Sequence, residues 1–354
     1  MNCSESGREA ADPSGAAPAG RLLLGGALMG FANLVPGISG GTMILAVGLY
    51  DRFVGTIAAF TRLRPARQDL RFVALFGLGA LVAVATLSGL LVDLVSTHRW
   101  LMYSLFVGMT LGGVPELWTQ VRPLSAGVVL WLLAGVGVMV ALAFGLESVQ
   151  VPTTPLALVA VGAVAASSMI LPGVSGSYLL LLFGLYETVI GSLSRDELLG
   201  NTGASLAVLA PVGLGAALGI GLLSNALKGM LERSPRATHG ALMGLLLGSV
   251  IGLWPFQEPV HPELARRPVR KAVERALQEP EADLAALGAD LVLPESTSLE
   301  ALVEEHRGAT RADLKRRAEQ LRRFDPTGVQ VATVLGVLAL GFAVTRAVGR
   351  RPAR

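Results

Sequence analysis

Val35-Pro36-Gly37-Ile38-Ser39-Gly40-Gly41-Thr42 interrupts one apolar stretch, and Leu171-Pro172-Gly173-Val174-Ser175-Gly176-Ser177-Tyr178 interrupts another in the same way. The arm before the first break, residues 22–35, has 14 residues, about 21 Å of helix at 1.5 Å per residue. A hydrocarbon core is about 30 Å thick, so this arm stops partway across. The apolar run resumes after the break and continues through Phe60; residues 155–171 lead into the second break, and that segment runs to 193. Proline ends an arm by removing a donor and clashing with the preceding turn, and the glycines admit tight or left-handed backbone. Non-helical backbone at membrane depth persists only where protein or a watery cavity surrounds it.

The two breaks are copies. With Pro36 set on Pro172, residues 36–56 align with 172–192 without gaps at an offset of 136, and nine of the 21 positions are identical. Among these are Gly48-Leu49-Tyr50 and Gly184-Leu185-Tyr186; Asp51 faces Glu187. A weaker continuation sets Gly108 and Pro115 on Gly248 and Pro255. The chain thus reads as two halves, 21–150 and 152–348, each a broken segment (22–60 or 155–193) followed by three spans. The spans are 72–95, 101–118 and 125–146 in the first half, and 205–227, 239–256 and 327–345 in the second. Residues 1–20 form a polar tail and 257–326 a polar insertion.

Composition agrees with a membrane protein. Of 354 residues, 52% are hydrophobic and 16% charged, against about 25% charged in soluble domains; the mean hydropathy is +0.58. The net charge of +3, with no basic patch interleaved with aromatics, speaks against nucleic acid. A single cysteine, Cys3, excludes an intrachain disulfide framework or cysteine metal centre, and no metal-ligand cluster is legible. The tail lacks the apolar core of a signal peptide, so the first hydrophobic segment is expected to be its own insertion signal.

Charge sets the orientation. With each broken segment entering and leaving on one side, short loops on one face hold Arg62, Arg64, Arg67, Arg71, Arg122, Lys228, Arg233, Arg236, Arg346, Arg350, Arg351 and Arg354, and those on the other hold Arg99 and Arg195. This excess puts both termini in the cytoplasm. Three spans per half is an odd number, so the halves point opposite ways, as in secondary transporters whose sites lie at paired helix breaks. The insertion, with twelve Lys/Arg and fourteen Asp/Glu, falls outside; Leu302-Val303-Glu304-Glu305 and Leu314-Lys315-Arg316-Arg317 predict exposed helices without chemistry of their own.

The second arms start near Gly41 and Ser177. Helix N-termini offer free N–H groups and partial positive charge, and Ser39, Thr42, Ser175, Ser177 and Tyr178 add hydroxyls beside them. Two such ends meeting near the midplane suit phosphate or carboxylate. Asn33 and Asn225 are further hydrogen-bonding candidates. A blander reading makes the breaks kinks where helices pack closely. Gly37-Ile38-Ser39-Gly40 and its copy also fit a short intramembrane serine-protease pattern, but His98, His239, His261 and His306 fall at span ends or in the insertion, so neither serine has a clear base. Glu116 beside Pro115 is a coupling candidate, and Asp51, Arg52 and Glu187 are gate or anchor charges. Asp93 and the aromatics Tyr50, Tyr186, Trp100, Trp118 and Trp254 fit the interfaces.

Asn33-Leu34-Val35-Pro36-Gly37-Ile38-Ser39-Gly40-Gly41-Thr42 followed by Gly48-Leu49-Tyr50 resembles the hallmark of the bacterial polyprenyl-phosphate transporters, and Leu171–Ser177 with Gly184-Leu185-Tyr186 fits it too. The resemblance covers residues 20–256 and 327–348. It implies an all-α polytopic fold of two inverted repeats with re-entrant hairpins. It implies a transporter, not an enzyme, in the bacterial plasma membrane, returning undecaprenyl phosphate from the outer to the inner leaflet for peptidoglycan and other envelope polymers. It assigns substrate contact to the motif residues: Asn33, Pro36, Gly37, Ser39, Gly40, Gly41, Thr42, Pro172, Gly173, Ser175, Gly176, Ser177 and Tyr178. The expected partners are that lipid and the bilayer, with room for a homo-oligomer; no cofactor is expected, and coupling to protons or sodium stays open. The insertion exceeds the family minimum. Rival functions are an ion-coupled carrier of a small anion, an intramembrane serine hydrolase and a channel.

Overall fold

The computed structural model describes residues 18–33, 39–144, 151–192, 200, 202–279, 283–288, 291, 293, 297–310, 313, 314, 317, 318 and 320–349. Pro36, Gly37, Cys3 and Arg195 lie outside them, as do the side chains of Asp93 and Glu187.

The first half contains α1 (Ala19–Asn33), α2 (Gly40–Ala46), α3 (Tyr50–Thr61), α4 (Arg67–Thr97), α5 (Arg99–Gly112), α6 (Val114–Val121) and α7 (Ala126–Phe144). The second contains α8 (Pro155–Ser168), α9 (Gly176–Leu182), α10 (Tyr186–Ser192), α11 (Thr202–Arg233) and α12 (Pro235–Gly252); the insertion follows. Its elements are β1 (Gln257–Pro259), α13 (Pro262–Ala265), α14 (Arg267–Gln278), α15 (Leu284–Gly288), α16 (Leu299–Glu305) and β2 (Leu321–Arg323), and α17 (Gly328–Gly349) closes the chain.

Among the described residues, four helices are long and apolar enough to cross a bilayer: the 67–87 part of α4, α7, α11 and α17. They turn large apolar side chains outward, with Leu81 70%, Leu222 73% and Leu335 61% exposed; a soluble protein does not carry apolar surface on this scale. The protein is therefore a mostly helical, multi-pass membrane protein. The expected spans 101–118 and 239–256 depart from this pattern. The first is divided at Gly113, where Pro115 starts a new helix, into α5 and α6. The second, α12, buries Leu242, Met243, Leu246 and, less usually, Thr238, His239 and Ser249. α5, at 14 residues, is short of a span, and both α5 and α12 bury most of one face against protein.

Glycines set the helix pairing. α1 lies on α4, α8 on α11, α5 on α17 and α7 on α12. At each crossing a glycine meets a backbone carbonyl so closely that a Cβ would collide with it. Gly26 faces the Phe76 carbonyl, and Gly162 faces that of Val212; Gly79 faces Leu23, and Gly215 faces Val159. Both members of each contact are displaced by 136 residues. In the other two pairs Gly108 faces the Leu338 carbonyl and Gly244 that of Leu132, while Gly341 faces Leu105 and Gly135 faces Ala241. Here the offset is 136 before the insertion and 206 after it. Close backbone approach of this kind gathers dispersion and weak Cα–H···O contacts where lipid supplies no hydrophobic drive. The equivalent of Gly108 is thus Gly244, one helical turn before the Gly248 of the sequence alignment; Gly248, packed on Met139 Cβ, answers to Gly112, packed on Thr345 Cβ.

The shared Gly-Leu-Tyr has a local cause. Gly48 and Gly184 have φ of +68° and +67°. Gly48 N–H donates to the Leu45 carbonyl (2.8 Å) and Leu49 N–H to Ile44 (3.1 Å); Gly184 and Leu185 repeat this with Leu181 (3.0 Å) and Leu180 (2.9 Å). This is a Schellman stop: glycine takes the left-handed position and the following leucine is buried. Each second arm is therefore two helices, not one.

The insertion is not uniformly solvated. Leu264, Val269, Val273, Leu299, Leu302 and Leu314 form a small core, so the amphipathic patterns turn a face inward. β1 and β2 pair antiparallel at its stem, Glu258 opposite Arg322, the one sheet among the described residues. Burial, the dominant effect, pushes His306 below the usual imidazole range.

Candidate functional site

The two breaks meet. Ser39 and Ser175 precede α2 and α9 with almost the same backbone, φ −97°, ψ 125° and φ −100°, ψ 124°. Neither side chain caps its own helix. Ser39 Oγ donates across to the Leu171 carbonyl at 2.9 Å. Gly173 N–H donates back to Thr42 Oγ1, also at 2.9 Å. Gly41 packs tightly on the other break, since a Cβ there would stand 3.0 Å from the Ile170 and Leu171 carbonyl oxygens. Gly173, at φ +85°, turns its backbone against Leu245 and Ser249 of α12. Pro172 is buried beside it. Asn33, ending α1, accepts from Gly40 N–H at 3.2 Å, and Gly176 packs against the end of α8.

Thr42 thus satisfies a buried amide of the other half. Thr42→Val removes that acceptor while keeping the shape, and an orphaned buried donor costs about 1–3 kcal/mol. The expected result is a lower heat-inactivation midpoint for the detergent-solubilised protein, with Thr42→Ser close to wild type.

Two cavities flank the junction. The smaller, about 240 Å³, is lined by Asn33, Ser39 and Gly40 from one break and Ser175, Gly176 and Ser177 from the other, with α8 and α11 as its wall. The larger, about 660 Å³, runs from Gly173–Tyr178 past Arg99, Tyr103 and Tyr186 to Gln257 and Arg323 of the stem ribbon. Val174, Ser175 and Ser177 line both. Ser175 Oγ and Ser177 Oγ stand 3.0 Å apart, and Tyr178 OH donates to the Leu142 carbonyl at 2.9 Å. The rim of the larger cavity is apolar and open to the outside of the helix bundle: Phe144, Leu181, Ile251 and Trp254 both line it and are exposed.

Arg99 is the residue that sequence reasoning missed as a site candidate. It opens α5, its Nη2 donates to Tyr103 OH at 2.8 Å, and its Cζ stacks 4.7 Å from that ring's centroid. Its buried Nε has no hydrogen-bond partner in the protein. The available signal was its rarity, as one of two cations in the short loops of the face expected to lie outside.

The charged candidates sit elsewhere. Glu116 Oε1 lies 3.6 Å from where a Gly48 Cβ would stand, and Arg21 Nη2, which donates to the Val47 carbonyl at 2.6 Å, lies 3.0 Å from that point. Asp51 Oδ1 is 3.6 Å from His239 Nε2, and Arg52 is 3.8 Å from Asp69. None of the three candidates is among the residues lining the cavities. Asn225 bonds Thr61 and Arg62 near the end of α3. Among the described residues no histidine is hydrogen-bonded to Ser39 or Ser175.

Comparison with known proteins gives one consistent answer. The profile of the undecaprenyl phosphate translocase-like family matches residues 29–267. The chain is 32% identical over 254 residues to a polyprenyl-phosphate transporter of Vibrio cholerae, covering 66% of this chain and 77% of that one. It is 29% identical over 244 residues to a polyprenyl-phosphate transporter of Staphylococcus aureus, covering 66% of this chain and 85% of that one. No solved structure matches. With more than half its length matched and both breaks inside the match, the chain belongs to the undecaprenyl phosphate translocase-like family.

Proposed function

We propose that the protein carries a polyprenyl phosphate, undecaprenyl phosphate by family membership, from the outer to the inner leaflet of the bacterial plasma membrane, with the phosphate held at the junction of the two breaks. The observation that carries this reading is the shared wall of Val174, Ser175 and Ser177: it joins a pocket lined by both motifs to a larger cavity containing Arg99. The headgroup enters the larger cavity, where Arg99, Ser175, Ser177 and Tyr178 replace its water. The exposed apolar rim lets the isoprenoid tail stay in lipid while only the headgroup is enclosed. That rim favours a lipid over a small soluble anion, which needs no sideways opening.

In this reading the halves are inverted repeats, α1–α2 and α8–α9 are re-entrant hairpins, and both termini are cytoplasmic. The recurrence of the glycine contacts at a fixed offset supports the repeat. Passage proceeds by alternating access, in which the helix pairs rock about the junction and the site opens to the other face. Moving a bare phosphate charge through hydrocarbon costs several kcal/mol or more, and the polar junction lowers that barrier. Glu116, held near Arg21 and the Gly48 turn, is placed to sense such a motion rather than to touch the substrate.

The test uses proteoliposomes carrying a polyprenyl phosphate in the outer leaflet. Wild-type protein is expected to speed its loss from that leaflet. The double variant Ser175→Ala/Ser177→Ala is expected to slow it about tenfold or more, since hydrogen bonds to a charged group are worth about 1.5–3 kcal/mol. No acceleration by wild type, or an unchanged rate in the double variant, would refute the proposal.

A further inference from the structure

The insertion brings His306 against His261 and Glu263, which precede it by more than 40 residues. His261 follows β1 and precedes α13, Glu263 is in the first turn of α13, and His306 ends α16. One ligand atom from each lies within 4.8 Å of the others. His261 Nδ1 is 3.3 Å from Glu263 Oε1 and 3.9 Å from Glu305 Oε1. The imidazoles stand edge to face, their centroids 5.3 Å apart. His306 is fully buried, and its Nε2 has no hydrogen-bond partner among the described residues. A buried polar nitrogen left without a partner is unusual enough to ask for an occupant.

We propose that His261, Glu263 and His306 form a binding site for a divalent transition-metal ion of the zinc class, with Glu305 or water as fourth ligand. Two imidazoles and a carboxylate are a zinc-type donor set, whereas calcium and magnesium prefer oxygen alone. Ligand atoms on a tetrahedral ion, each about 2.0–2.1 Å from it, lie about 3.3 Å from one another, so the widest pair must close by about 1.5 Å. Glu305 and Glu263 also bring the negative charge that offsets a dication.

Arg317 gives the proposal an opposing control. Its Nη1 is 2.8 Å from His306 Nδ1. Arginine only donates, so Nδ1 accepts and the ring proton sits on Nε2. An ion taking Nε2 sends that proton to Nδ1, which breaks the arginine bond; an ion taking Nδ1 displaces the arginine directly. On either route Arg317 competes with the metal. Ala318, its neighbour, lines the large cavity together with Leu321 and Arg323. An ion here would tie the stem of the insertion to α16 and stiffen the insertion residues that line the cavity.

The experiment is calorimetric titration of the purified, chelator-stripped full-length protein in detergent with Zn²⁺, and with Co²⁺ for its ligand-field absorption. The expected result is one ion per chain, a tetrahedral-type Co²⁺ spectrum, and affinity reduced about tenfold or more in His261→Asn and in Glu263→Gln. Arg317→Gln is expected to bind several-fold more tightly. His261 is partly exposed, so His261→Asn is the variant expected to keep its metal-free melting temperature where His306→Ala would unfold the insertion. Absence of binding, wild-type affinity in His261→Asn and in Glu263→Gln, or equal affinity for Mg²⁺ and Zn²⁺ overturns the site. Binding is read without transport, so its failure and a failure of lipid translocation are separate results.

Discussion

Leucine in place of Gly135 will leave almost no monodisperse protein in detergent, while leucine in place of Gly137 will leave the yield unchanged. The two positions lie on one helix, α7, about 200° apart around its axis. A Cβ on Gly135 would collide with the Ala241 carbonyl and stand 2.8 Å from Leu245 N. These are backbone atoms of the buried α12 and cannot rotate away. Overpacking a core with side chains that can adjust costs about 1–3 kcal/mol; against rigid backbone, a four-carbon insertion exceeds that range and separates the helices. Gly137 has nothing within 4 Å and faces the membrane, where leucine is at ease. Size-exclusion profiles of the two variants make the comparison, and equal profiles would show that close approach at position 135 does not hold the bundle together.

The second large effect is expected at Arg99. Its guanidinium is fixed by the Tyr103 hydroxyl and ring, so little rotamer entropy remains to be lost when an anion arrives. Replacing it by Gln keeps a polar amide but removes the charge and shortens the side chain. A charge-assisted hydrogen bond is worth about 1.5–3 kcal/mol, so apparent affinity for polyprenyl phosphate should fall about 10- to 150-fold. Arg99→Lys should recover only part of this, because an ammonium offers no planar fork and stacks poorly on the tyrosine. Saturation curves in proteoliposomes would report the change. If Arg99→Gln matched wild type, the larger cavity would not be the route of the headgroup.

The breaks at 34–39 and 171–175, and the repeat joining them, were legible because proline, glycine and a constant spacing are local signals. What those signals could not give was the partner. Nothing in the string Ser39-Gly40-Gly41-Thr42 says that its hydroxyls reach Leu171 and Gly173, since that contact exists only after the halves dock. The division of the 101–118 span follows from Gly112-Gly113-Val114-Pro115 and was readable in principle, but its apolar composition masked it. The register of the later repeat slipped by one turn because Gly108 has glycines at both 244 and 248 to match, and only packing distinguishes them. Arg99 and the His261–His306 pair were hidden for the same reason: their meaning lies in neighbours distant in sequence. The small core of the insertion was obscured by its charge, which covers the outer faces of short helices whose inner faces pack together.

The glycine contacts carry a last consequence. In the α5–α17 and α7–α12 pairs, each half lends its final helix to the other, and the two exchanges use equivalent residues: Gly108 with Leu338, Gly244 with Leu132. Reciprocal contacts of this kind define an isologous interface, the kind that joins two identical subunits. In the proposed inverted-repeat reading, the chain has the anatomy of a fused dimer. Neither half owns the helix that covers its own centre, so a half expressed alone would lack a mate for α7 and would have to borrow one from a second copy of itself.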